Sequence, residues 1–367
     1  MQQKIGVGII GVTPHRSWAA NAHIPALRSL GDDFDIVALS NTQQESAIAA
    51  AQFFGVPHAF SSAEALVACP GVDLVAVTVK VPHHLSLVRT ALAAGKHVYC
   101  EWPLGNGLAE AREMAALADA AGTIAVCGMQ ARFSPSLIHA GDLIRQGYVG
   151  DVLSVSVIGS GMVWGPVMDT PNAYCCDINN GATMLSIPLG HTMDGLAHIL
   201  GEITDIGAQL SNRRLSSINS QTGERIPMTA HDQVLFHARI GGAPLSVHYR
   251  GGMPRGTGLL IEINGTKGDL QITGANGHAQ LANLDLRGAT GEGTDMAPIA
   301  VPAVCSAGLS PDGMTGNVAR FYQHIARLIR TGSADCPSFA DAVKRHQMLA
   351  AIEQSARTQK VVQPTEC

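Results

Sequence analysis

The sequence predicts an α/β protein: a doubly wound parallel sheet, followed by an α+β domain built on a large, open, mostly antiparallel sheet. Two observations carry the first half. Short apolar runs alternate with helix-length amphipathic segments over the first 130 residues, and the first run ends in a glycine turn that opens a helix. A third carries the second half: beyond about Gln130, long strand-like runs follow one another through glycine-rich turns.

The alternation runs in order. "KIGVGIIG" is a strand, "AANAHIPALRSL" a helix, "FDIVALSN" a strand and "QQESAIAAAQFFG" a helix. "VDLVAVTV", "HHLSLVRTALAAG", "HVYCEW", "LAEAREMAALADAAG" and "TIAVCGMQ" continue it. Strands separated by helices of this length are right-handed βαβ units. After the helix "SPSLIHAGDLIRQG", the strands are "DVLSVSVIGS", "ITDIGAQLSN", "DQVLFHARI", "APLSVHYRGG" and "GLLIEINGTKGDLQITG". "NNGATMLSIPLGHTMDGLAHILG" reads as a helix whose mouth holds His191, and two amphipathic helices close the chain. The expected domains are 1–130 and 131–367. The stretch from Leu286 to Gly313, rich in Gly, Pro and Ala, is expected to be a mobile loop.

Composition narrows the function. The chain has 367 residues, long enough for two cores, and is 46% hydrophobic with only 14% charged residues. Its apolar runs fall short of the ~20 residues that span a bilayer, and no signal-peptide layout opens it. A cytoplasmic protein with no membrane partner is expected. A formal net charge of -5 and no basic block argue against nucleic acid. Eight cysteines show no C-x-x-C spacing, and only Cys175 and Cys176 are adjacent, so no metal site and no disulfide framework is expected.

The first strand-to-helix turn, "GIIGVTPHRSWAANAH", has the place of a dinucleotide fingerprint, G-x-G-x-x-G, after which a helix N-terminus faces the pyrophosphate. Gly11 fits its first position and Thr13 takes the second, and the turn lengthens through Arg16, Ser17 and Trp18. The second strand ends at Ser40, Asn41 and Thr42, with no carboxylate for the ribose hydroxyls of NAD. Small polar side chains leave room for a 2′-phosphate that Arg16 could neutralise, which favours NADP over NAD.

"VTVKVPHHLSLVRTALAAGKHVYCEWPL", "GMQARFSPSLIHAGDLIRQGYVGDV" and "GHTMDGLAHILG" stand in an order that resembles the glucose–fructose oxidoreductase/inositol dehydrogenase (Gfo/Idh/MocA) family. "EWPLG", "SIPLGHT" and "RSWA" resemble its branch containing the yeast galactose-regulon repressor. The resemblance implies a Rossmann domain, then an α/β domain whose sheet forms a homodimer or homotetramer. It also implies hydride transfer between NAD(P) and a carbohydrate-like small molecule. For the branch, it implies instead a regulator that binds a dinucleotide and contacts an activator protein. The family's Glu-Lys-Pro mark is Glu101-Trp102-Pro103 here, and the family's aspartate four residues before the histidine is Ile187.

Two alternatives follow. An indole cannot exchange a proton at neutral pH, so either the chemistry is lost or the proton donor has moved. Lys80, past the third apolar run on the sheet's carboxyl edge, could serve if desolvation lowers its pKa. His191, aligned with the family's histidine, is the better carrier, and Asp194 could orient it or bind a sugar hydroxyl. Val79, Lys80, Pro82, His83, Glu101, Trp102, Pro103 and Gln130 are expected to line the cofactor. Lys80, Trp102, Arg132, Trp164, His191 and Asp194 are expected on the substrate side, with Trp164 and Tyr174 able to stack a sugar face.

Overall fold

The computed structural model describes residues 3–293, 295–310 and 313–367. The chain divides into two compact units, Met1–Gly128 with Met314–Val343, and Met129–Gly313 with Lys344–Cys367.

In the first unit six strands are β1 (Ile5–Ile10), β2 (Phe34–Ser40), β3 (His58–Phe60), β4 (Leu74–Val77), β5 (His97–Glu101) and β6 (Ala125–Gly128). They pair in parallel in the order β3-β2-β1-β4-β5-β6. β1 and β4 are buried at every position, as a sheet covered on both faces requires. The crossovers run through α1 (Ile24–Ser29), α2 (Gln44–Phe54), α3 (Ala63–Val67), α4 (His84–Ala93) and α5 (Leu108–Ala121). A π-helical turn at Ala19–His23 leads into α1. The order reverses between β1 and β4, the switch point at whose carboxyl edge such sheets take their ligands.

The second unit opens with α6 (Pro135–Arg145). Its main sheet contains β7 (Val152–Ser160), β9 (Ile203–Ser211), β12 (Gln233–Ile240), β13 (Ala243–Arg250), β14 (Leu259–Gly265), β15 (Gly268–Gly274), β16 (Leu284–Thr290) and β17 (Ala297–Pro298). β8 (Val167–Met168), β10 (Ser216–Asn219) and β11 (Arg225–Pro227) make a small second sheet. The order in the large sheet is β17-β16-β15-β14-β7-β13-β12-β9, antiparallel except where β7 lies parallel to β13. Strict alternation turns Val234, Phe236, Ala238 and Ile240 of β12 inward and leaves Leu235, His237 and Arg239 on the open face. α7 (Gly190–Leu200) follows a π-helical turn at Leu185–Leu189.

Two expectations change. The stretch 286–313 is not a loop throughout, because β16 pairs in register with β15 from Leu284 to Thr290 and β17 adds to its edge. Gly288 interrupts its alternation and hides the strand in the sequence. Thr294, Pro311 and Asp312 lie outside the described residues.

The closing helices also divide. α8 (Gly313–Thr331) lies almost wholly in the first unit, and the division falls within α9 (Phe339–Thr358). Phe321 and Tyr322 of α8 pack on Tyr99 of β5, with ring centroids 5.0 and 5.3 Å apart. Cys127 N–H donates to the Pro337 carbonyl at 2.9 Å, fastening the same segment to β6. No helix among the described residues is long and apolar enough to cross a membrane. The cysteines are all thiols.

Candidate functional site

The turn after β1 is fixed from both sides. Gly11 has φ +98°, and a Cβ there would come within 2.6 Å of Val79, so only glycine fits. Asn41 braces the next residue: its Oδ1 accepts from Val12 N–H at 2.9 Å and its Nδ2 donates to Val12 O at 2.8 Å. Ser17 Oγ accepts from Thr13 and Ala20 N–H at 2.9 and 3.2 Å, closing the turn and capping the helical segment. Trp18 presents a buried indole Nε1 with no hydrogen-bond partner among the described residues. Arg16 and Thr42 are exposed, Ser40 is buried, and no carboxylate occurs from Ser40 to Thr42.

Past β5 lies a buried polar chain. Glu101 Oε1 lies 2.7 Å from His23 Nε2, and His23 Nδ1 lies 2.8 Å from the Tyr322 hydroxyl. With the carboxylate accepting from Nε2–H, Nδ1 accepts from the phenol. Burial, and then the Glu101 charge, holds Tyr322 well above the usual phenol range. Glu101 therefore anchors the strand end inward. The following Trp102–Pro103 peptide is cis, and Trp102 is buried. His84 sits under that turn, Nδ1 facing Pro103 O and Leu104 O at 3.0 and 3.1 Å and Nε2 facing Val79 O at 3.0 Å. Burial pushes its pKa down, and the surrounding carbonyls and Glu101 push back. One imidazole thus ties β4's exit to the Trp102 turn.

In the second unit the π-helical turn delivers His191 as the second residue of α7, 3% exposed. One helical turn on, Asp194 takes a two-pronged ion pair: Arg132 Nε and Nη2 donate to its two oxygens, both at 2.7 Å. Arg345 Nε lies 3.9 Å from the same carboxylate and pairs with Glu202 through Nη2. Burial lowers the Arg345 pKa, Asp194 raises it and Arg132 lowers it. Asp194 is therefore an electrostatic anchor for two arginines. Thr192 is held by Tyr249, whose hydroxyl donates to Thr192 Oγ1 at 2.7 Å; a Cβ on Gly159 would collide with the Tyr249 ring at 2.2 Å.

A second histidine belongs with His191. His278 is 6% exposed, and its Nδ1 lies 3.2 Å from Gln280 Nε2. Gln280's amide nitrogen is a donor, so Nδ1 accepts and the neutral ring carries its proton on Nε2. That Nε2 is buried and has no partner among the described residues. Burial, and then the neighbouring His191, lower its pKa to about 3. Trp164 stacks on it, centroids 6.5 Å apart and planes 13° apart.

The expected site residues divide between the units. Gly11, Thr13, Arg16, Ser17, Trp18, Ser40, Asn41, Thr42, Val79, Lys80, Pro82, His83, Glu101, Trp102 and Pro103 fall in the first. The carboxyl ends of β2 and β5 and the turns after β1, β2, β4 and β5 carry them all. Gln130, Arg132, Trp164, His191 and Asp194 fall in the second. Four of these residues have surroundings that bear on their expected roles. Lys80 is exposed. Asp194 gives both oxygens to Arg132. Trp164 is 1% exposed with its Nε1 donating to Cys175 O at 2.9 Å, which buries the face expected to stack a sugar. Tyr174 is half-buried, and burial raises its pKa above the ordinary phenol range without bearing on the stacking role. His278, Gln280, Arg345 and the His23–Tyr322 pair come from distant segments without a motif, so no local signal marks them.

Residues 5–129 match the oxidoreductase family with NAD-binding Rossmann fold (Gfo/Idh/MocA), and residues 135–274 match the Gal80p C-terminal domain. The galactose/lactose metabolism regulatory protein GAL80 of Saccharomyces cerevisiae is 30% identical over 77% of this chain and 69% of its own length. The chain belongs to the Gfo/Idh/MocA family. GAL80 of Kluyveromyces lactis is 33% identical over 77% of this chain, and that match spans 66% of the relative, just under two thirds. The dehydrogenase aclE of Aspergillus oryzae is 30% identical over 75% of this chain and 78% of its own length. A crystal structure of a super-repressor mutant of S. cerevisiae Gal80p superposes with a TM-score of 0.89 at 27% identity, covering 98% of each chain. Family membership makes an NAD-binding fold of the first unit, and regulators and dehydrogenases both stand among its relatives.

Proposed function

We propose that this Gfo/Idh/MocA protein is an NAD(P)-dependent oxidoreductase acting on an alcohol or carbonyl of a polyhydroxylated small molecule. The observation that carries this reading is the buried His191–His278 pair with an unsatisfied Nε2–H. A buried donor without an acceptor costs about 1–3 kcal/mol, and a substrate oxygen would satisfy it. His191 moves the proton, and His278, neutral at physiological pH, donates a hydrogen bond to the reacting or neighbouring oxygen.

The first unit's residues fit a dinucleotide. Gly11 keeps the turn open, the indole of Trp18 offers a donor, and the rim from Ser40 to Thr42 carries no charge against a 2′-phosphate. Bound NAD or NADP supplies the hydride acceptor or donor. Val79, Pro82 and His83 line the β4 exit, and Lys80 contacts phosphate or ribose instead of carrying a proton. Trp102 shapes the pocket as an apolar wall. We assign assembly into a homodimer or homotetramer to the open sheet face, where Ile158 and Leu235 are exposed, and the setting to the cytoplasm.

A second reading rests on Trp102 and on the similarity to GAL80: a dinucleotide-responsive regulator without turnover, whose partner is a protein. The two separate in one experiment. Purified protein is incubated with NAD or NADP and a panel of sugars, sugar acids and polyols, following reduced-nicotinamide absorbance. Turnover that His191→Ala abolishes while calorimetric cofactor binding persists supports the oxidoreductase. Tight binding with no turnover across the panel makes it the regulator.

A further inference from the structure

Three side chains of the second unit that the chemistry above does not use converge: His139 and Asp142 on α6, and Cys305 in the 3-10 turn Ala303–Ser306. Each offers one ligand atom, and these atoms lie within 4.8 Å of one another. His139 and Asp142 are three residues apart on a helix, hence on one face. Cys305 arrives from beyond the large sheet, 6% exposed. Burial, and then the Asp142 charge, raise its thiol pKa. A cation between them would turn that repulsion into attraction.

We propose that His139, Asp142 and Cys305 bind a single zinc-like divalent cation, with water completing the coordination. An imidazole, a thiolate and a carboxylate form a borderline-soft set suited to zinc, whereas magnesium and calcium prefer all-oxygen shells. Tetrahedral bonds of about 2.0–2.3 Å place ligand atoms roughly 3.3–3.8 Å apart, so side-chain rotation of about an ångström closes the site. As the sulfur–metal bond forms, the thiol proton leaves to solvent and no electron is exchanged. Asp142 also gives up part of its 2.6 Å pair with Arg145, an exposed i,i+3 contact of little strength. The bound ion then fastens the 303–306 turn to α6.

The test uses the full chain, stripped with chelator and titrated with cobalt(II), then with zinc(II) in competition. A thiolate-to-cobalt charge-transfer band saturating at one equivalent, and displaced by zinc, is expected. Cys305→Ser should abolish the band, and His139→Ala and Asp142→Asn should each weaken binding at least about tenfold. A Cys175→Ser/Cys176→Ser double variant should keep the band. His139 and Asp142 are only partly buried, so their variants carry the test if Cys305→Ser fails to fold. No charge-transfer band in the wild type, a band that survives Cys305→Ser, or unchanged affinity in both α6 variants overturns the site.

Discussion

Glu101 and His23 meet at 2.7 Å, a carboxylate 8% exposed against an imidazole with no exposure at all, and the same ring reaches the Tyr322 hydroxyl. Three segments far apart in sequence are joined by that one ring: the end of β5, the start of the first crossover helix, and α8. Removing the ring takes one hydrogen-bond partner from a buried carboxylate and one from a buried phenol. His23→Ala should lower unfolding free energy by about 2–4 kcal/mol, read by urea denaturation. A loss below about 0.5 kcal/mol would mean that water replaces the ring at no cost.

The Asp194–Arg132 pair yields a second prediction with a different signature. Asp194→Ala removes the buried carboxylate that Arg132 grips with two hydrogen bonds and that Arg345 also faces, and should cost about 3–5 kcal/mol. Replacing Arg132 with Met in the same background should return part of that loss, because an uncompensated charge leaves with it. Additive losses in the double variant would show that the two side chains act independently.

His278 sets a pH dependence. Its pKa is lowered to about 3 by burial and by His191, against an ordinary value near 6.5. Between those values the unfolded chain holds the proton and the folded chain does not. Stability therefore rises with pH across that window and falls on acidification, with a slope of about 1.4 kcal/mol per pH unit from this group. Above about pH 6.5 its contribution is level. Urea titrations from pH 7 to pH 4 should show a shallower acid limb in His278→Gln than in the wild type.

Dinucleotide binding can be read at two positions of the β1 turn. Trp18→Phe removes the buried indole donor without removing the ring, and should weaken cofactor binding about 3–10-fold by calorimetry. Unchanged affinity would place that N–H away from the ligand. Arg16→Ala should weaken NADP by about tenfold while leaving NAD nearly unaffected. Equal losses for both would remove the preference for the 2′-phosphate.

Much of this architecture is legible in the chain because apolar runs and glycine turns are local signals. β1, β2, β4, β5 and β6 announce themselves as buried runs, and Gly11 by its place after the first of them. What stays hidden depends on pairing between distant segments. The Glu-x-Pro pattern does not say which way the Glu101 carboxylate turns, and its contact with His23 comes from a distant segment. The pairing of Asp194 with Arg132, from a segment far away in the chain, has no local signal either. His278 sits in a loop after β15 with no motif around it, and the His139–Asp142 pair gains meaning only when Cys305 comes beside it. The amphipathic stripe of α8 records that the helix has a core to face, but not which core.

The return of α8 to Tyr99 and Phe34 makes the nucleotide-type unit discontinuous along the gene. On the ribosome, its first 128 residues emerge with the aromatic face of β5 bare, and everything from α6 to β17 must be synthesised before the covering helix arrives. A fragment cut at residue 130 would leave that face to aggregation or chaperones, whereas a shortened gene splicing 314–343 directly behind β6 would restore the cover.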